Sequence, residues 1–299
     1  MAPYRSLEFS IAMTPRIIAI VQARMNSSRL PGKVLLDIGN EPMLGRVVQR
    51  TSQSTLVEQV VVATTTDPTD DVLYNYCSSH SLPCWRGSQY DVLDRYYQAA
   101  RAAHAEIVVR ITADCPVIDP ELVDRTIQTL LGDAASRTPG SAGLDTDFDL
   151  SANRLPPPWR RTFPIGLDAE VCTFAALQRA WREASEPADR EHVMPYMYAG
   201  VQLEPAGQQV SAGQSPRGFR VAVLDSAKDY GTHRWTVDTA EDLEFLRQVY
   251  DHFGSRQDFT WKEVLVLVES HPALMQINAN VKHKSVRDVD ERGRGDGEI

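Results

Sequence analysis

The chain has 299 residues, of which 42% are hydrophobic and 24% charged, enough for one large core or for a core with a substantial insertion. Its net charge of −9 argues against a nucleic-acid partner bound through phosphates, since such proteins present a basic face. The four cysteines contain no C-x-x-C pair and no apolar run reaches the roughly 20 residues of a membrane span, so we predict a cytoplasmic protein without zinc, disulfides or membrane contact.

The first predicted element is a buried strand, a β-branched apolar run over residues 17–21. A loop with Pro and Gly follows it and contains three cations, Arg24, Arg29 and Lys33. Open parallel sheets bind ligands at the carboxyl ends of their strands, where cations and free backbone N–H groups suit phosphates. The loop matches neither the Walker pattern nor G-x-G-x-x-G. We predict a phosphate-binding loop, with a solvated basic surface loop as the alternative.

Strand and helix patterns then alternate along the chain. Residues 60–65 and 107–112 are predicted strands, whereas residues 91–104 and 120–131 have helical periodicity. Such βαβα repetition predicts an α/β fold, a mostly parallel twisted sheet with helices on both faces.

The composition shifts to Gly, Ser, Asp and Pro over residues 132–158, which we interpret as a boundary. After it, residues 234–238 are predicted to return to the sheet, and helices follow to about residue 253 and over residues 260–270. The predicted divisions are a flexible leader (1–15), a nucleotide-binding half (16–150), an inserted acceptor-binding or dimerisation region (151–228), a return to the core (229–281) and a flexible tail (282–299).

Two aspartates follow predicted strands, Asp114 and Asp238. Carboxylates at this edge of a sheet can hold Mg²⁺, which takes one or two protein carboxylates together with substrate phosphates. The alternatives are structural. Asp114 would be a turn residue before Pro116, and Asp238 would cap the following helix; Asp119 is predicted to cap the helix that starts at Pro120.

At this point the chain resembles a known family. The motifs Gln22-Ala23-Arg24, Ser28-Arg29-Leu30-Pro31-Gly32-Lys33 and Pro42-Met43-Leu44 are similar to the amino-terminal signature of the cytidylyltransferases that make CMP-activated acidic sugars, most of all to the branch labelled spore-coat polysaccharide biosynthesis. The resemblance extends from about Ile17 to about Val268. It implies a nucleotide-diphospho-sugar transferase fold, which is Rossmann-like, with CTP as the donor and Mg²⁺ as the cofactor.

The resemblance also implies roles for individual residues. Asp114 and Asp238 match the metal ligands, and we assign Arg29 and Lys33 to the β- and γ-phosphates. Residues 87–95 resemble the segment that closes over base and ribose, although Asp91 as a plain helix cap is an open alternative. Further candidates for nucleotide contact are Gln22, Ala23, Arg24, Thr64, Thr65, Ser88, Asp91 and Arg110.

The acceptor is expected between the two metal aspartates. Residues 163–171 alternate apolar and acidic side chains, and Asp168 and Glu170 would share one face of a strand there. Glu191 and His192 match the family's next pattern, and the sequence leaves two roles open for His192, a base or a structural residue. The alternative for Asp168 and Glu170 is ion pairing with arginines, namely Arg160, Arg161 or Arg190.

Together these features predict a Mg²⁺-dependent cytidylyltransferase that acts as a homodimer in cell-surface glycan or specialised-metabolite biosynthesis. CMP would pass from CTP to a sugar, sugar phosphate or small phosphonate or phosphate with release of pyrophosphate. One alternative is a glycosyltransferase of the same fold, whose D-x-D motif would fall at 145–147, 147–149 or 288–290. The other is a non-catalytic nucleotide-binding protein.

Overall fold

A computed structural model describes residues 15–132, 146–254 and 256–282. Their strands form a single sheet with the spatial order β3-β2-β1-β4-β6-β5-β9-β8-β7. The strands are β1 (Ile17–Gln22), β2 (Gln59–Thr65), β3 (Cys84–Gly87), β4 (Ile107–Thr112), β5 (Leu150–Ala152), β6 (Glu170–Thr173), β7 (Glu204–Gly207), β8 (Val210–Gln214) and β9 (Arg220–Leu224).

Most strands of this sheet are oriented in the same direction. In the described part of the chain only β6 and β8 are reversed, because each pairs antiparallel with both of its neighbours. Gln22, the last residue of β1, pairs with Ala63 of β2 and with Thr112 of β4. The carboxyl ends of these strands therefore lie side by side, and the predicted α/β fold is confirmed.

Helices connect the strands, and their bounds follow local capping. Asp91, Asp119 and Thr239 each accept a hydrogen bond from a backbone N–H of the first turn, which fixes the helix starts after them. The helices are α1 (Met43–Thr51), α2 (Asp71–Ser79), α3 (Val92–Ala102), α4 (Pro120–Leu131), α5 (Phe174–Glu183), α6 (Pro187–His192), α7 (Pro195–Tyr198), α8 (Ala240–Phe253), α9 (Trp261–Ser270) and α10 (Pro272–Ile277).

The helices cover both faces of the sheet. This is required because the apolar side chains of β1 point alternately to the two faces. Ala19 and Val21 are fully buried against a core that includes residues of α1, α4, α8 and α9. Ile18 and Ile20 are fully buried in a second core with residues of α3, α5 and α7. Burying a side chain of this size stabilises the fold by about 1.5–3 kcal/mol each, so β1 is anchored from both sides.

The observed elements differ from two of the sequence predictions. The predicted strand at 234–238 is wrong: the segment contains bends, and Arg234 alone of its residues forms a β-bridge, with Ile165. The division at residue 150 falls inside β5, and β6 and β9 continue the same sheet. The functional role of residues 151–228 stays a prediction.

The predicted leader and tail fall almost entirely outside the described residues. Among the helices of the described ranges, none combines the length and the apolar character that crossing a bilayer requires.

Candidate active site

The loop after β1 is held in a closed turn by backbone hydrogen bonds. The Met25 carbonyl accepts from the N–H groups of Ser27 and Gly32, both at 2.9 Å. Gly32 has φ +71, and a Cβ there would come within 3.3 Å of the Met25 methyl carbon, so glycine suits this position. A short 3-10 helix, Lys33–Leu35, begins directly afterwards and directs Lys33 into the protein, where it is 8% exposed.

Asp70 fixes this loop to the end of β2, and sequence reasoning missed it. Its Oδ1 accepts from the Met25 N–H at 2.7 Å, and its Oδ2 accepts from the Thr64 hydroxyl at 3.1 Å and the Thr65 N–H at 3.2 Å. The Thr65 hydroxyl also donates to Oδ2. Thr64 and Thr65, predicted to contact the nucleotide, are thus buried and directed at Asp70. An acidic residue shortly after a strand end was the available signal.

Lys33 joins the two predicted metal aspartates. Its Nζ lies 3.0 Å from Asp114 Oδ2 and 3.0 Å from Asp238 Oδ1, and it donates to the Val237 carbonyl at 2.6 Å. The Thr112 hydroxyl donates to the other Asp114 oxygen at 2.6 Å. The structure therefore brings together three of the four predicted catalytic residues at one point of the carboxyl edge.

Arg29, the fourth of these residues, also contacts Asp238. Its NH2 lies 2.8 Å from Asp238 Oδ2, and Arg234 approaches the same oxygen at 2.8 Å. Arg234 continues to Asp242, which forms a capping box with Thr239 at the start of α8. The capping alternative for Asp238 is therefore wrong, because Thr239 is the cap.

Electrostatics fix the charge state of this cluster. Burial lowers the pKa of Lys33, but attraction to Asp114 and Asp238 outweighs it and leaves the pKa raised. Burial raises the pKa of Asp238, but Lys33, Arg234 and Arg29 outweigh it and leave the pKa lowered. Lys33 is thus a cation and Asp238 an anion throughout the neutral range.

A second group of charges contains the predicted acceptor residues. Asp168 Oδ2 lies 3.1 Å from Arg154 Nε and 3.0 Å from Arg161 NH2, and Arg110 pairs with Glu170. The ion pair with Arg161, left open by the sequence, is present, whereas the sequence analysis missed Arg154, which no motif singled out. Asp168 precedes β6, and Glu170 is the first residue of that strand.

The remaining candidates lie around the start of α3. Asp91 caps α3, and its Oδ1 also lies 3.0 Å from Arg190 Nε. The Asp91 N–H donates to Ser88 Oγ at 3.0 Å. The capping role that the sequence left open is therefore present. Arg190 lies on α6, whose last two residues are Glu191 and His192. Ala23 donates to the Ala63 carbonyl at 3.1 Å, and Gln22 and Arg24 flank Ala23 at the end of β1.

We expect low pH to weaken the ion pairs of Asp168 with Arg154 and Arg161. Arg161 and Arg154 together outweigh burial and lower the pKa of Asp168 in the folded protein. The pKa of an aspartate in the unfolded chain is about 3.9. The ionised Asp168 therefore stabilises the folded protein fully at pH values above about 4, and this stabilisation is lost as the pH falls towards the lower pKa of the folded state.

Thermal unfolding measured from pH 7 to 2.5 tests this expectation. Asp168→Asn should lower the stability at pH 7 and make the loss below pH 4 less steep than in the wild type. Asp258→Asn, at a side chain that is 77% exposed, is the control and should follow the wild type. Parallel curves for Asp168→Asn and the wild type would contradict the ion-pair interpretation.

Open α/β sheets with helices on both faces bind nucleotides and other ligands at the carboxyl edge, which is where the charges of Lys33, Asp114 and Asp238 converge. Comparison with solved structures identifies the class: the chain is similar to a cytidylyltransferase from Leptospira borgpetersenii, with a TM-score of 0.73, 27% identity and coverage of 91% of this chain and 100% of that one. The protein is an enzyme of the nucleotidyltransferase class.

The sequence model of the cytidylyltransferase family matches residues 18–252, so the chain belongs to the cytidylyltransferase family. It is 32% identical over 261 residues to the spore coat polysaccharide biosynthesis protein SpsF of Bacillus subtilis, covering 86% of this chain and 95% of SpsF. It is 31% identical over 278 residues to an uncharacterised protein of Methanocaldococcus jannaschii, covering 92% and 100% of the two chains. The family resemblance noted in the sequence is confirmed.

Proposed function

We propose that the protein transfers CMP from CTP to a small anionic acceptor and releases pyrophosphate. The observation that carries the proposal is the contact of Lys33 with both Asp114 and Asp238, 3.0 Å from each, beside the loop that also contains Arg29. Membership of the cytidylyltransferase family supports CTP as the donor.

Asp114 and Asp238 are the residues that would hold Mg²⁺. Both carboxylates converge on one ammonium group, so a cation already occupies the space between them. Two carboxylates are sufficient for Mg²⁺, which takes few protein ligands and completes its shell with phosphates and water. When bound, Mg²⁺ neutralises phosphate charge as a Lewis acid.

Arg29 and Lys33 would bind the leaving pyrophosphate. An acceptor oxygen forms the new bond to the α-phosphorus in line, and the bond from that phosphorus to the bridging oxygen breaks with its electron pair on pyrophosphate. The two cations offset this charge as it develops, while the Asp70 contact to Met25 keeps their loop in place. A phosphate or phosphonate acceptor, ionised at neutral pH, needs no base. A sugar hydroxyl must lose its proton.

The acceptor is proposed to contact the arginine cluster, defined as Arg110, Arg154 and Arg161 with Asp168 and Glu170. Three cations face two anions, so one positive charge is in excess, and the side chains are only 6–19% exposed. An arginine fork binds carboxylate, phosphate or phosphonate through two parallel hydrogen bonds. In this arrangement Asp168 and Glu170 orient the arginines.

Substitutions in the arginine cluster should impair the binding or turnover of the acceptor and leave the affinity for the nucleotide unchanged. Asp168→Asn and Glu170→Gln should raise the acceptor KM or lower kcat, by about 5- to 10-fold for one weakened hydrogen bond of 1–1.5 kcal/mol. The Kd of CTP·Mg²⁺ should stay near the wild-type value. Calorimetry of CTP and steady-state kinetics of the acceptor measure the two effects.

The matched control is Glu183→Gln, which disrupts an exposed pair with Arg179 on α5 and should change neither constant. If a folded Glu170→Gln protein lost CTP binding, the arginine cluster would belong to the nucleotide site.

A pyrophosphate-release screen tests the function directly. CTP and UTP are offered with Mg²⁺ to sugar acids, sugar phosphates, polyol phosphates and small phosphonates. Release that requires CTP and one acceptor supports the proposal; CTP binding without turnover would favour a non-catalytic nucleotide-binding protein. The D-x-D motifs predicted for the glycosyltransferase alternative at 145–147 and 288–290 fall partly or wholly outside the described residues. Asp149 of the 147–149 motif disfavours that alternative, because it pairs with Arg220 at the amino ends of β5 and β9, on the edge of the sheet opposite to Lys33. A homodimer and a cytoplasmic location remain part of the proposal.

A further inference from the structure

The segment after α9 reaches the active site from outside the region that matches the family. The family model ends at residue 252, whereas α10 and the turn that follows it pack on α8 and α9 further along the chain. Three apolar side chains of α10 pack against the core, but no residue of this helix is fully buried. The segment therefore adds little to the core, and its buried polar contacts need another explanation.

The first of these contacts belongs to Asn278, which follows the last residue of α10 and is only 6% exposed. Its side-chain amide donates to the Arg234 carbonyl and to Asp242 Oδ1, both at 3.0 Å. Both donors of the amide are thus used within the protein. Neither acceptor lies in α10, so the amide connects the end of this helix to residues 44 and 36 positions earlier in the chain.

Asp242 links Asn278 to the metal aspartate, Asp238. The Asp242 side chain is 0% exposed and binds the Arg234 guanidinium through two hydrogen bonds, from Nε to Oδ1 at 2.8 Å and from NH2 to Oδ2 at 2.9 Å. Its Oδ2 also accepts from the Asp238 N–H at 2.9 Å. The same NH2 of Arg234 lies 2.8 Å from Asp238 Oδ2. The pair that Asn278 contacts therefore holds both the backbone and the carboxylate of Asp238.

The turn that starts at Asn278 also contacts the phosphate loop. The Val281 N–H donates to the Asn278 carbonyl at 3.1 Å and closes the turn, directly before Lys282. Arg29 NH1 donates to the Lys282 carbonyl at 3.3 Å, while Arg29 NH2 lies 2.8 Å from Asp238 Oδ2. Two of the groups that hold the Asp238 carboxylate are thus in contact with one turn of the carboxyl-terminal segment.

We propose that Asn278 is a positioning residue for the transfer reaction and that its turn is a working part of the active site. The amide keeps the pair of Arg234 and Asp242 in place, and this pair directs the Asp238 carboxylate towards Lys33. Groups that orient a metal ligand change metal affinity or activity about 10- to 100-fold when they are replaced. The inference rests on the proposed function, in which Asp238 would hold Mg²⁺.

A purely structural role for Asn278 predicts a different result. A hydrogen bond that only attaches α10 to the protein would affect thermal stability, and its loss would leave the binding of metal and nucleotide unchanged. In the positioning role, the loss of Asn278 leaves the buried Asp242 carboxylate with one donor fewer. The pair of Arg234 and Asp242 can then shift, and Asp238 shifts with it.

The experiment measures how much Mg²⁺ strengthens CTP binding. Calorimetry gives the Kd of CTP in EDTA and the Kd of CTP with Mg²⁺, and the ratio of the two constants is the coupling between metal and nucleotide. For Asn278→Ala we expect this ratio to fall about tenfold, while the Kd in EDTA stays near the wild-type value. The Mg²⁺ concentration that gives half of the maximal rate should rise by a similar factor.

The matched control is Asn280→Ala, which removes the same side chain from an exposed position of the same turn and should change none of these quantities. Asn278→Ser keeps one donor in place of two, so its ratio should lie between those of Asn278→Ala and the wild type, and it serves as the test if Asn278→Ala does not fold. In an Asp238→Asn background, Asn278→Ala should cause no further change in the ratio.

Two results would overturn the inference, and they can be told apart. If the folded Asn278 variants lose only thermal stability and keep the wild-type ratio, Asn278 is structural and the inference is wrong. If Mg²⁺ does not strengthen CTP binding by the wild type, the proposed function fails and the inference fails with it.

Discussion

Asp114→Ala is expected to lower kcat by about 10³-fold while the protein stays folded. The carboxylate would hold Mg²⁺ at the reacting phosphates, and removing an electrostatic group of this kind costs about 10²- to 10³-fold or more in rate. Asp114 is also one of two carboxylates that neutralise Lys33, so its loss disturbs the leaving-group site as well. Single-turnover kinetics with saturating CTP and Mg²⁺ measure the effect on the chemical step.

The control is Asp119→Asn, five residues further along the same connection. Asp119 is 1% exposed, caps α4 and accepts from the Trp261 N–H at 2.8 Å, so its role is structural. This variant should lose about 1 kcal/mol of stability and keep its rate below the unfolding temperature. An Asp114→Ala enzyme with a rate near that of the wild type would remove Asp114 from the metal site.

Lys33→Met is expected to raise the Kd of CTP about tenfold or more and to lower kcat by about 10²-fold. The ammonium would contact the leaving pyrophosphate, where negative charge accumulates, and without it Asp114 and Asp238 face each other with no cation from Lys33 between them. Because the folded pKa of Lys33 is raised, the charge is present at every pH used for assay and the loss should not depend on pH between 6 and 9.

The comparison is made with Lys262→Met, an exposed lysine on α9. Lys262→Met should have the same Kd for CTP and the same kcat as the wild type. If Lys33→Met leaves the CTP constants unchanged and raises only the acceptor KM, Lys33 does not contact the donor.

The fold was predictable because its signals are local. Residues 107–112 and 120–131 have periodicities that identify a strand and a helix without reference to the rest of the chain, and both were observed with those bounds. The segment 234–238 has a strand-like composition, but whether it forms a strand depends on a distant partner. Among the described residues its one β-bridge joins Arg234 to Ile165, while the Val237 N–H donates to the Asp114 carbonyl at 2.9 Å.

The site was predictable in part. Strand ends indicated where Asp114 and the phosphate loop would lie. The contacts of Lys33 were not predictable, because they join residues 81 and 205 positions apart in the chain. Likewise, no local pattern showed that the hydroxyls of Thr64 and Thr65 would donate to Asp70 rather than to a ligand.

The central claim is that the α-phosphorus of CTP is transferred and pyrophosphate leaves. It is tested most directly by offering CTP labelled with ³²P at the α or at the γ position, with Mg²⁺ and the acceptor selected in the screen. We predict that the α-label appears in a CMP-linked product and the γ-label in pyrophosphate, and that Asp114→Ala abolishes both. Release of the γ-label as inorganic phosphate, with the α-label left in CDP, would show attack at the wrong phosphorus and contradict the assignment.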